Sequence, residues 1–259
     1  PIEPIGPVTD TTKEDSDNFK QDMLETEQKL LEAGYALTEE EALEFQIKAK
    51  DAIETAKKEN RGLRPEEIDI IKASTYYTVE VMKDELAPVY EYYGNLATDY
   101  AAIVASDKTI LKLANKCAVN STGCGTLFEK SVEALNKIIE FGEVTFDSTP
   151  ATNGLLAEYL PNQTVRGSGK LYRTKSPEEV FGSAGHEVAT HFVQDMHIKN
   201  GIIITSSESV GEYYANRSMD SYYITGDLVR GLYYRSQPTE AIAYQASDIF
   251  SNTMSENRK

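Results

Sequence analysis

The chain has 259 residues, 40% of them hydrophobic, which is enough apolar side chain for one large core or two modest ones. Its formal net charge of -16 argues against a surface for nucleic acid or anionic lipid, because both need basic patches to neutralise phosphate. No apolar run approaches the ~20 residues of a membrane span, and PIEPIGPVTD lacks the charged-then-apolar order of a signal segment, so the chain reads as soluble and already processed.

Residues 1–16, rich in Pro, Thr and Asp, read as an extended arm, and residues 17–142 as an acidic helical region. Residues 1–70 alone carry 19 Asp and Glu against 9 Lys and Arg, which concentrates the acidity at this end. Thr38 with Glu41 is a capping box ahead of a helix that stops near Asn60-Arg61-Gly62. Pro65 suits a first helical position, with Glu66 and Glu67 at the positive end of the helix dipole, and Ile68, Ile71, Tyr76, Val79 and Met82 follow at helical spacing. Pro88 starts or kinks the next segment, and further helices are expected at 107–117 and 126–141. Cys117 and Cys124 are close enough to close a small loop, and Asn120, Asn162 and Asn216 open N-x-S/T triplets.

After Gly142 the texture changes. Leu155 to Leu160 is a short apolar stretch, and GKLYR, IIIT at 202–205 and SYYIT at 221–225 read as strands bounded by Gly, Ser or Asn. Five Tyr-Tyr pairs are read as packing residues. The expected class is α+β, a helical N-terminal half followed by a compact mixed α/β domain over 143–259.

All three histidines lie within residues 186–197, and His186-Glu187 resembles the opening of the zinc protease motif H-E-x-x-H. Here the second histidine, His191, comes at i+5. At about 100° per residue it would point about 140° away from His186 on an α-helix. A π-bulge repairs this, since i and i+5 then stack; the motif length is similar to that of dipeptidyl-peptidase-III-like enzymes. A third ligand could be Glu240, which resembles the downstream glutamate of gluzincins, or His197, six residues after His191 as in metzincins, although Gln194 replaces the metzincin glycine. On this reading Glu187 is the general base of a metallopeptidase.

A second reading starts from Leu171-Tyr172-Arg173, then Thr174-Lys175-Ser176-Pro177-Glu178-Glu179-Val180-Phe181, and from Thr205-Ser206-Ser207 followed by Tyr213, Tyr214 and Arg217. In type and order these blocks resemble the pertussis-like and cholera-like mono-ADP-ribosyltransferase toxins. The resemblance covers roughly residues 169–245 and implies a transferase-like domain with NAD as co-substrate, in a secreted toxin or effector that modifies a protein acceptor. It implies that Arg173 holds NAD by charge-assisted bonds, with Tyr172, His197, Thr205 and Ser207 lining the site. His191 is the reserve for His197, and Thr205 and Ser206 are organisers of the pocket. Glu240 would stabilise the ribosyl cation. The family places its acid in Gln-x-Glu or Glu-x-Glu; here Gln237-Pro238-Thr239-Glu240-Ala241-Ile242 leaves open whether Glu240 or Ile242 holds that slot. An inactive transferase-fold binding protein is the third reading, and the acidic helices could meet an inhibitory or delivery partner.

Overall fold

The computed structural model describes residues 12–152, 154–202, 204–205, 208–215 and 231–259. It is a helix-dominated α+β protein: helices fill most of the described chain and one three-stranded sheet accompanies them. The chain divides into two compact units, Pro1–Val89 with Ile204–Ala241 and Tyr90–Ile203 with Ile242–Lys259. Among the described residues no helix is long and apolar enough to cross a membrane.

In the first unit α1 (Lys13–Glu32) begins inside the span expected to be an extended arm, because Thr12 and Asp15 form a capping box. The box expected at Thr38 is present and starts α2 (Glu39–Lys58). Pro65 opens α3 (Pro65–Tyr76), and Glu67 in its first turn takes both guanidinium nitrogens of Arg61 at 2.7 Å, fixing the α2–α3 corner. A π-helical turn, Tyr77–Val81, follows. Phe45, Ile53, Ile71, Tyr77 and Met82 form the core with Tyr213 of α10 (Glu208–Ala215). The Gln46 amide donates to the Tyr213 carbonyl at 2.8 Å, tying α10 to α2. Tyr233 of α11 (Leu232–Arg235) donates to Asp22, which also accepts from Lys72, so α1, α3 and α11 share one half-buried polar joint.

The second unit takes in most of α4 (Lys83–Ala105), with Pro88 inside that helix near its start rather than beginning a new one. The helices α5 (Lys108–Val119) and α6 (Cys124–Asn136) are stapled by the Cys117–Cys124 disulfide. The sheet has the order β1-β3-β2: β1 (Thr145–Phe146) runs parallel to β3 (Thr164–Gly167), and β2 (Ala157–Leu160), within the expected apolar stretch, runs antiparallel to it.

Two strand expectations are corrected. GKLYR is not a strand but α7 (Gly169–Thr174), because the Ser168 hydroxyl accepts from the Leu171 amide and starts a helix with one inward residue, Leu171. Ile202, Ile204 and Thr205 form no strand either. SYYIT, Asn216, Arg217, Ser206 and Ser207 lie outside the described residues.

Beyond α7 runs the longest feature of the unit, α8 (Pro177–Ala184), a π-helical segment Gly185–Phe192, and α9 (Val193–Lys199), whose junction residues keep right-handed helical dihedrals throughout. It packs against α12 (Pro238–Asn257) through glycine: a Cβ on Gly182 would lie 2.3 Å from Ser251 Oγ, and one on Gly185 2.5 Å from Phe250 Cγ. Phe181, Val188, Phe192, Val193, Ile242 and Phe250 close the core.

Candidate metal centre

The local sequence explains why a helix passes through HEVATH. Ser176 caps it, Pro177 occupies its first position and Glu179 completes a capping box, with Ser176 Oγ accepting from the Glu179 amide at 3.2 Å. At Gly185 the helix widens to the π form, in which backbone bonds reach five residues instead of four. The Thr190 hydroxyl donates to the Gly185 carbonyl at 3.3 Å, a side-chain bond across the same five-residue step.

This widening repairs the i+5 spacing. His186 and His191, which an α-helix would turn apart, face each other with ring centroids 4.9 Å apart at an interplanar angle of 80°. Glu187 joins them: one donor atom from each of His186, Glu187 and His191 lies within 4.8 Å of the others. Glu187 and His191 are buried and His186 is half-buried.

Two imidazoles suit zinc as ligands, and a carboxylate beside them suits a base for a metal-activated water. Tetrahedral zinc bonds of ~2.0–2.2 Å set donor atoms about 3.4 Å apart, so atoms within 4.8 Å of one another would have to draw together to hold the ion. Two neighbours orient the rings. The Gln194 carboxamide oxygen lies 3.3 Å from His191 Nδ1, and the Tyr244 ring packs edge-on against His186 with centroids 4.9 Å apart.

The remaining expected residues stand as follows. His197, although six residues beyond His191 on the same helix, does not belong to the group. It is buried among Tyr92, Tyr93 and Phe141, with Nδ1 3.0 Å from the Tyr93 hydroxyl. Burial there holds its pKa below the ordinary histidine value. His197 lies about one and two-thirds turns beyond His191, on another face of the helix, and the metzincin arrangement of a third histidine is not the one seen here.

Arg173 is exposed in the last turn of α7, its guanidinium folded back over Gly169: a Cβ there would lie 2.6 Å from Nη1. The Tyr172 ring packs on Phe128, and burial pushes its hydroxyl up to about 12. Thr205 is half-buried outside any strand, and Ser206 and Ser207 are not described. Glu240 stands in the first turn of α12, one helical turn before Tyr244. Ile242 is buried in the core.

Sequence reading missed Gln194 and Tyr244 as neighbours of the histidines. Gln194 had a usable signal, since a residue three beyond His191 is its neighbour on a helix face; Tyr244 had none, being more than fifty residues away. Compared with known protein families, characterised proteins and solved structures, the chain matches none.

Proposed function

We infer that this protein is a zinc-dependent hydrolase acting on peptide bonds, with His186 and His191 as metal ligands and Glu187 as general base. The observation that carries the reading is the π-helical widening at 185–192, which brings two histidines of the wrong α-helical spacing to one side with an acid between them.

A zinc ion bound there supplies Lewis acidity, polarising a carbonyl and making water nucleophilic near neutral pH. The residues of the chain do the rest. His186 and His191 would hold the ion through imidazole nitrogens. Glu187, next to His186 and largely withdrawn from solvent, takes the proton of the attacking water on a carboxylate oxygen and returns it to the departing amine.

The transferase resemblance makes a different demand, a guanidinium presented at a strand end. Arg173 on the short helix α7 gives that reading less support than the histidine pair gives to zinc. NAD consumption that disappears in Arg173→Lys would reinstate it.

The deciding experiment is metal analysis after equilibration with zinc and dialysis, joined to a fluorogenic peptide assay. About one zinc per chain is expected, lost in His191→Ala and kept in Glu187→Gln, whose hydrolysis falls by about 10²–10⁴-fold. A folded wild-type protein that retains no zinc overturns the assignment.

A further inference from the structure

We propose that Gln194 is a positioning residue: its carboxamide oxygen accepts the Nδ1 proton of His191 and so leaves the Nε2 lone pair as the nitrogen offered to the metal group. The proposal rests on the zinc reading above.

Three observations carry it. The Gln194 oxygen Oε1 lies 3.3 Å from His191 Nδ1, and Oε1 is an acceptor with no proton to give. Gln194 is fully buried and His191 nearly so, with relative exposures of 0% and 8%, so water does not compete for this contact. His191 stands near the end of the π-helical segment and Gln194 is the second residue of α9, so the partner sits on the regular helix and steadies the widened one.

The chemistry follows from the two forms of a neutral imidazole. One nitrogen carries the proton and the other the lone pair, and the hydrogen bond at the first decides which is free to bind metal. With Oε1 facing Nδ1 the proton is held there and the lone pair is left on Nε2. The opposite orientation of the carboxamide would point its NH2 at Nδ1 and put the proton on Nε2, which blocks that nitrogen as a ligand. Glutamine also does this without adding a second negative charge beside Glu187. The expected consequence is that a carboxylate at 194 serves equally well as an acceptor, whereas an aliphatic side chain of similar size does not.

The test uses the full chain in two states. In metal-free protein at pH 8, 15N spectra of ring-labelled histidine report which nitrogen of His191 is protonated. Zinc affinity is then measured by competition with a chelator for wild type, Gln194→Leu and Gln194→Glu. Expected are a His191 proton on Nδ1 in wild type and in Gln194→Glu, a mixture of forms in Gln194→Leu, and zinc binding weakened about 10–100-fold in Gln194→Leu but restored in Gln194→Glu. A packing role alone would be kept by the nearly isosteric glutamate as well, so the discriminating readout is the imidazole tautomer, which a packing role would leave unmoved in Gln194→Leu. A wild-type proton on Nε2, or equal zinc affinity in Gln194→Leu, overturns the proposal while leaving the zinc site standing. Wild-type protein with the Nδ1 proton in place but no zinc uptake overturns the zinc reading and this role with it.

Discussion

Replacing Gly185 with alanine tests the close approach on which the widened helix depends. A Cβ at Gly185 would lie 2.5, 2.7 and 2.9 Å from Cγ, Cδ2 and Cδ1 of Phe250, all far inside the ~3.5–4.0 Å of an ordinary carbon contact. About 1 Å of separation must therefore be found. Phe250 cannot supply it by turning away, because it is fully buried and the Phe181 ring packs against it with centroids 5.0 Å apart. Overpacking of this kind costs about 1–3 kcal/mol, and the crowding of three ring atoms favours the upper end. Alanine regains about 0.5–1 kcal/mol of helix propensity over glycine, leaving a net loss of about 2 kcal/mol. For a chain of this size that is a fall of about 4–8 °C in melting temperature. Since Gly185 is the first residue of the segment carrying His186, zinc affinity should fall with it. Thermal unfolding with and without zinc measures both. Gly62→Ala is the control, because a Cβ there meets nothing within 4 Å, and it should melt within about 2 °C of wild type. A Gly185→Ala protein as stable as wild type would refute the packing argument.

Two other outcomes can be stated. The disulfide joins residues seven apart, a loop short enough that its removal costs about 2–3 kcal/mol, so the Cys117→Ser/Cys124→Ser protein should unfold at a lower urea midpoint under oxidising conditions; an unchanged midpoint excludes this contribution. The Arg61 guanidinium holds the Glu67 carboxyl at about 2, against 4.5 for the free group. Because the folded value is the lower one, the stabilisation is complete above pH 4.5 and is lost as pH falls from 4.5 toward 2. Urea midpoints across that window should drop less steeply for Glu67→Gln than for wild type, and parallel slopes would show that the pair adds nothing.

Much of the helical framework was legible because its punctuation is local. The Thr38–Glu41 box, Pro65 at a first helical position and the small Cys117–Cys124 loop each depend on residues a few positions apart, and all are present. KLYR misled for a related reason. Leu171 and Tyr172 have high apolar content over too few residues to show a period, and the deciding group, the Ser168 cap, lies outside the quoted run. The sheet was half legible: β2 falls within the apolar stretch 155–160, but β3 is polar enough at Thr164 and Arg166 to pass as loop. Contacts between distant positions, such as Tyr244 against His186 or Gly185 against Phe250, leave no mark on either sequence segment.

The histidine spacing has to be weighed against the second π-helical turn, Tyr77–Val81, which lies in the other unit. That turn shows that widening alone is no sign of a metal site. It holds one acid, Glu80, and no histidine, and its burial is accounted for by Tyr77 and Thr78 in the core. Its side-chain bond, from the Thr78 hydroxyl to the Ser74 carbonyl, spans the ordinary four residues. At 185–192 the same backbone device carries donors at both ends of a five-residue step, an acid beside the first, and a threonine whose hydroxyl spans the widened turn. A single extra residue in a helix is tolerated when it is useful, because the π form is otherwise a poor competitor to the α form. Here the use is visible: without the widening, His191 would rotate away from His186 while Phe192 and Val193, both fully buried, kept the following turn in the core. The i+5 spacing is thus one that the backbone accommodates, setting the two imidazoles face to edge where a regular helix would turn them apart.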